Sequence, residues 1–363
     1  MVIYFIMIIL SVFFAYQADK VNQNKNKDNY KKKRQKFIFL CILSFIFPFL
    51  VSAFRDFSIG TDTSGTYYDI FDMIKNDNFR LVRDKGYGII TQIAYVLFHN
   101  YTGVLTLSSL VTCGIAYYCI FRDSKYPVMS TLLFFTTNVY FISMNMIRQC
   151  IATMIFIFSI IFIKKKKLLP YLLLSALAIS MHTSAVIYIP LYFILNKKLD
   201  KKFSVITILI FILFGGIITD ATMNLLFKID YFNNYFSWYM ESSYNSGEFN
   251  LISFGIALCI YLFLLFINKK AKNDYNYNIL FWLQTFVICI LSLSSKLPLM
   301  QRTSWLLAFP LFIYLPGMFD YIENKKLKLI AKICVNAGYI AYMIVTSFML
   351  GYNEIYPYIS IFS

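Results

Sequence analysis

The stretch 164–202 reads KKKKLLPYLLLSALAISMHTSAVIYIPLYFILNKKLDKK, an apolar run framed by two clusters of lysine. As one helix, 168–195 would be about 42 Å long at about 1.5 Å per residue, well beyond a hydrocarbon core of about 30 Å. Met181-His182-Thr183-Ser184 interrupts it near the middle, so we read two short helices, 168–181 and 183–195. Charge supports the split. A single span would carry Lys197, Lys198, Lys201 and Lys202 to the face opposite Lys164–Lys167, whereas lysine collects in cytoplasmic loops.

Outward from this stretch, apolar runs of near-spanning length lie at 2–17, 37–53, 101–121, 127–144, 147–163, 203–219, 251–267, 278–295, 303–319 and 329–350. The fold class is therefore an all-α polytopic membrane protein of about 12 transmembrane helices. The composition, 59% hydrophobic and 14% charged, excludes an ordinary soluble enzyme, which is about a quarter charged, and a disordered chain. If the first segment runs inward, the cytoplasmic loops are 18–36, 122–126, 164–167, 196–202, 268–277 and 320–328, and they hold most of the 34 Lys and Arg. Both termini are then external. The net charge of +16 belongs to these loops, so no nucleic-acid partner is expected.

The chain reads as one integral membrane domain, 1–363, with a solvated basic loop at 18–36 and external segments at about 54–100 and 220–250. Tyr87–Phe98 is too short to cross and is expected as an amphipathic or re-entrant helix at the interface. The opening segment lacks a basic leader and a small-residue cleavage site, so we read it as a retained helix. The seven cysteines lie in or beside apolar runs and read as buried thiols.

Arginine breaks the orientation rule that lysine obeys. Only Lys75, Lys85, Lys228 and Lys296 fall outside, against Arg55, Arg80, Arg83, Arg148 and Arg302. The planar guanidinium matches phosphate oxygens in pairs, so outward arginines point to an anionic ligand at the outer leaflet. For Arg80 and Arg83, beside Asp77 and Asp84 in a wet loop, pairing with those carboxylates is the simpler reading. Arg55, Arg148 and Arg302 sit at helix ends, where a charge near hydrocarbon needs a partner or a task. His182, at the turn of the split hairpin, suits a general base, a phosphate partner or a structural turn. Asp56 and Asp62, in Phe54-Arg55-Asp56 through Gly60-Thr61-Asp62 to Tyr67, could accept protons or bind sugar hydroxyls. No His/Cys spacing suggests a metal site.

Four pieces carry a family likeness: that run after the second helix, Met144-Asn145-Met146-Ile147-Arg148-Gln149-Cys150-Ile151-Ala152, Ala178-Ile179-Ser180-Met181-His182-Thr183-Ser184-Ala185, and the weaker Gln301-Arg302. With their order and spacing, the chain resembles the EpsG family of Wzy-type polysaccharide polymerases. The resemblance implies a glycosyltransferase-C-like helical bundle with no metal or other cofactor, in the bacterial cytoplasmic membrane. It implies a polymerase that moves a growing glycan from undecaprenyl pyrophosphate to the next lipid-linked repeat unit on the outer face, in capsule, exopolysaccharide or O-antigen synthesis. A flippase and a chain-length regulator are the partners it suggests, beside membrane lipids and the lipid-linked oligosaccharide.

A pyrophosphate leaving group needs charge stabilisation more than protonation. Arg148 with Arg302 is the expected clamp, with Arg55 as a third contact and Gln149 beside them. His182 is the first choice of base, with Asp62 and Asp56 next. Inversion and retention both remain open. The aromatic stretch Tyr231–Tyr244, with Trp238, is a candidate cover for the sugar or an interfacial anchor. Rival readings are an O-antigen-ligase-like transferase, a flippase for the lipid-linked unit and a membrane O-acyltransferase. Inverted repeats would favour the flippase, and a cytoplasmic histidine the acyltransferase; neither is found.

Overall fold

The computed structural model describes residues 1–24, 30–226, 228, 250–295, 297 and 299–362, and every regular element among them is helical. These residues form two compact units, Met1–Tyr192 with Phe312–Ser363, and Phe193–Leu311. Among the described residues, eight helices are long and apolar enough to cross a membrane, or nine if one bent pair is a single span. The rest of the twelve expected segments appear as shorter helices, so the count of twelve spans is not reproduced.

In the first unit, α1 (Val2–Gln23) lies against α2 (Tyr30–Ala53). Much of the expected basic loop 18–36 is helical instead, because lysine is a good helix former and nothing stops the helix at the end of its apolar run. Pro48 inside α2 has no N–H to donate to the Ser44 carbonyl. Ser11 Oγ of α1 donates to that carbonyl at 2.8 Å, and Tyr140 Oη donates to the Pro48 carbonyl at 2.8 Å. In lipid such groups must be satisfied within the protein.

The loop after α2 carries a π-helical turn (Thr63–Tyr67), α3 (Tyr68–Lys75) and α4 (Lys85–Phe98), then leads to α5 (Tyr101–Asp123). Asn100 starts α5 by accepting from the Gly103 N–H at 3.0 Å. The expected span 127–144 is broken into α6 (Pro127–Thr136) and α7 (Val139–Asn145), bent by 46°. Asn138 sits at the break with φ 63°, a left-handed conformation that asparagine tolerates. Its amide donates to Thr346 Oγ1 at 2.6 Å and accepts from Ser347 Oγ at 3.0 Å.

The stretch 168–195 folds as the lysines require. α9 (Leu168–Met181) ends at His182, whose backbone is extended, and a 3-10 turn (Thr183–Ile187) leads into α10 (Tyr188–Leu195). Tyr171 Oη donates to the Tyr188 carbonyl at 2.5 Å, and the Tyr171 and Tyr192 rings are 5.3 Å apart. Along one straight helix those backbones would be about 25 Å apart, so the chain turns back on itself. Tyr188 locks the hairpin to α8 (Ile147–Lys164), stacking on Phe156 at 4.1 Å and donating to Thr153 Oγ1 at 3.0 Å.

Away from the hairpin turn, Asp320 joins two loops expected on one face. Lys125 lies 2.6 Å and Lys328 2.5 Å from its carboxylate, and Tyr126 Oη donates to it at 2.7 Å. Partial burial opposes the charge, but these donors outweigh it and hold the Asp320 carboxyl down at about 2.

The second unit contains α11 (Lys201–Leu226), α12 (Leu251–Ala271), α13 (Tyr275–Ser292) and α14 (Met300–Ala308). Ser204 hydrogen-bonds Tyr261 Oη at 2.7 Å and Thr285 Oγ1 at 2.8 Å, tying three of these helices by hydroxyls. The expected segment 303–319 is divided between α14 and α15 (Leu311–Met318). The first unit closes with α16 (Lys325–Met343). The aromatic stretch Tyr231–Tyr244 lies outside the described residues.

Candidate active site

The site is built where α7 gives way to α8. Met146 breaks the helix with φ −91° and ψ 58°, and Arg148 falls in the first turn of α8. A cation there opposes the helix dipole and needs a neighbouring anion. Asp84 supplies it, with Oδ2 2.7 Å from Arg148 Nη1. This carboxylate is the N-cap residue of α4 and only 4% exposed. The Tyr67 ring covers the other side of the guanidinium, 5.4 Å from its carbon, and Arg148 Nε is buried without a hydrogen-bond partner.

The hairpin turn brings His182 to the same carboxylate. His182 Nδ1 is 3.4 Å from Asp84 Oδ2, and Thr183 Oγ1 donates to Oδ1 at 3.2 Å. Burial raises the Asp84 carboxyl, but the hydrogen bond from His182 and the Arg148 charge outweigh it and hold it below its ordinary value. An ionised carboxylate only accepts, so in this contact the proton lies on Nδ1. Gly86 sets this approach: a Cβ there would lie 2.9 Å from the Ser180 carbonyl carbon and oxygen. Any larger residue would push α4 away from the end of α9.

The run after α2 packs on the end of α7. Gly60 has φ +100°, and a Cβ on it would lie 2.8 Å from the Met144 carbonyl oxygen, so glycine is required. The Asp62 N–H donates to Asn145 Oδ1 at 2.8 Å. Asp62 is half-buried and close enough to Tyr67 that its charge joins burial in raising the Tyr67 hydroxyl. Asp56 is occupied locally, accepting from the Ser58 N–H at 2.9 Å and Ser58 Oγ at 2.6 Å. The C-terminal segment straps this loop: the Asp56 N–H donates to the Ile359 carbonyl at 2.9 Å and the Gly60 N–H to the Glu354 carbonyl at 3.2 Å.

Arg55 has a different place from the one expected. It is 1% exposed and donates through Nη1 to the Ser52 carbonyl, to Ser52 Oγ at 3.1 Å and to Ser109 Oγ at 3.5 Å, and through Nη2 to the Met144 carbonyl at 3.0 Å. It ties α2, α5 and α7 together from within. Gln149, next to Arg148, is buried in the first turn of α8. Arg302 lies in α14 of the second unit. Its neighbour Gln301 accepts from Asn250 Nδ2 at 2.9 Å. Among the described residues no cluster of three His, Cys, Asp or Glu side chains could hold a metal.

Asp84 is the candidate site residue that the sequence hid. Between Arg83 and Lys85 it reads as a surface ion-pair partner, yet it is buried and pairs with Arg148. Its one signal is the helix start that follows, where aspartate is a favoured N-cap.

α4 presents Ile89, Ile93, Val96 and Leu97 as exposed side chains and buries Gly86, Gly88, Thr91 and Ala94. Such a face is stable against lipid rather than water. The site at its N-terminal cap therefore borders an apolar surface. A sequence model described as the EpsG family matches residues 38–360. No curated protein and no solved structure matches the chain.

Proposed function

The chain belongs to the EpsG family, the family of Wzy-type polysaccharide polymerases, and from that premise we propose that it joins lipid-linked oligosaccharide repeat units in the membrane. The protein is a multi-pass membrane protein of a polysaccharide polymerase family. The finer reading is that it moves the growing glycan from undecaprenyl pyrophosphate to the non-reducing end of the next lipid-linked unit. The charge partition between loops supports an outward-facing site.

The observation that carries this reading is the cluster Arg148–Asp84–His182 beside a lipid-facing helix. Each member has a role in glycosyl transfer from a polyprenyl pyrophosphate. The acceptor hydroxyl gives its proton to His182 Nε2 as its oxygen bonds the anomeric carbon. The bond from that carbon to the carrier's phosphate oxygen breaks, and the electron pair leaves on the pyrophosphate. Arg148, half-dehydrated between Tyr67 and Asp84, stabilises the leaving charge. Asp62, close to Tyr67, is proposed to bind sugar hydroxyls; its nearness to the Arg148 cluster through Tyr67 supports this. Arg302 is proposed as a further anion contact; its outward position in the charge map supports it. Arg55 serves the site by holding α7 rather than by touching substrate.

The test is the size distribution of surface glycan after gene deletion, with wild-type or Arg148→Ala complementation. Single repeat units at the surface in the deletion strain, and a polymer ladder restored by wild type alone, are expected. Lipid-linked units trapped inside, with no surface sugar, would point to a transporter instead.

A further inference from the structure

Asp84 is asked to serve two partners through one oxygen. Oδ2 lies 2.7 Å from Arg148 Nη1 and 3.4 Å from His182 Nδ1, while Oδ1 takes Thr183 Oγ1 at 3.2 Å. A charge-assisted bond at the first distance is short and strong; one at the second is at the outer limit of hydrogen bonding. In this state the carboxylate is committed to Arg148, and the imidazole is held loosely. His182 keeps part of its surface exposed, with its side chain 29% accessible, so the ring has room to move.

We propose that Asp84 is a positioning residue that transfers its hold from Arg148 to His182 when an anionic pyrophosphate engages Arg148. This rests on the polymerase reading of the site. A pyrophosphate offers the guanidinium several oxygens and more charge than a single carboxylate, so Arg148 turns part of its donor fork to the ligand. Oδ2 is then free to accept the His182 Nδ1–H at a normal distance. That bond fixes the tautomer, aims Nε2 at the acceptor hydroxyl and stabilises the imidazolium that forms as the proton arrives. Donor binding thereby completes the base, and the two ends of the reaction become coupled through one carboxylate.

The groups around the carboxylate leave it this choice. Thr183 contributes a hydroxyl from the hairpin turn, and Tyr67 covers Arg148 from the π-helical turn. Tyr87, one turn into α4, has its hydroxyl pushed up to about 12, chiefly by burial, and stays neutral. Arg148 and His182 are two basic side chains that approach Asp84, at 2.7 and 3.4 Å.

The chain has two histidines, His99 and His182, so nitrogen-15 spectra of histidine-labelled protein in nanodiscs can be assigned with a His99→Gln variant. Inorganic pyrophosphate is the probe. In the ligand-free protein His182 is expected in the Nδ1–H form, with a weakly bonded proton. Saturating pyrophosphate shifts the Nδ1 proton downfield as its bond to Asp84 shortens, and Asp84→Asn abolishes that response. In turnover assays Asp84→Asn lowers kcat by about 100-fold, with the donor KM changed only a few-fold, and Asp84→Glu restores part of kcat. Pyrophosphate bound through Arg148, as shown by loss of binding in Arg148→Gln, with His182 signals unmoved, overturns the transfer alone. Absence of pyrophosphate binding overturns the anion role of Arg148, and the transfer with it.

Discussion

Replacing Arg55 with methionine separates a strut from a substrate contact. Methionine fills a similar volume but removes every donor that the guanidinium presents to Ser52, Ser109 and Met144. Two main-chain carbonyls, of Ser52 and Met144, lose a charged partner in a site that is 1% exposed. Each buried carbonyl left short of a donor costs about 1–3 kcal/mol. Against this stands the desolvation of the guanidinium, which the variant no longer incurs. A net loss of about 2–4 kcal/mol follows, expressed as earlier thermal unfolding and faster proteolysis in detergent. Because the Met144 carbonyl lies two residues before Met146, where α8 is set off from α7, loosening it also disorders the Arg148 end of the site. Unfolding followed by tryptophan fluorescence, together with donor KM on the folded fraction, is the assay. An Arg55→Met protein that melts like wild type but needs far more donor would refute the reasoning and make Arg55 a ligand contact.

Three further outcomes follow from the same geometry. His182→Gln is expected to lower turnover about 100-fold or more while leaving pyrophosphate affinity intact, which steady-state kinetics and calorimetry separate. Gly86→Val should leave the protein folded yet poorly active, because its Cβ meets the Ser180 backbone at 2.9 Å and moves Asp84 from His182; wild-type kcat in that variant would contradict the packing argument. Asp320 has a folded pKa of about 2, below the ordinary carboxylate value, so its contribution is present above about 4 and lost as pH falls toward 2. Asp320→Asn should therefore lower stability at neutral pH and flatten the acid limb of a stability–pH curve, and an unchanged curve would remove this ion cluster from the account.

Much of the fold was legible because lipid and lysine constrain it together. The hairpin at His182 followed from span length and from the lysines on either side, and Tyr171 against Tyr188 shows the fold-back. The break at Asn138 was not legible, since a left-handed asparagine in an apolar run has no local signature; Thr346 and Ser347, far along the chain, satisfy it. The helical ends of 18–36 were missed because charge marks a wet segment without marking an unfolded one. At the site, Arg148 and His182 stood out as polar residues at the ends of apolar runs. Asp84 did not, because its meeting with Arg148 depends on how α4 is laid over the ends of α8 and α9. Arg55 was visible for the same reason as Arg148, but a guanidinium near a helix end can satisfy main-chain carbonyls as well as phosphate.

The most direct measurement is polymerisation by the purified protein in liposomes, with lipid-linked repeat units as the only substrate. The account predicts a ladder of longer lipid-linked glycans, one polyprenyl pyrophosphate released for each linkage formed, and neither product with Arg148→Ala. Movement of the lipid-linked unit across the bilayer, with no new linkage and no pyrophosphate carrier released, would contradict it.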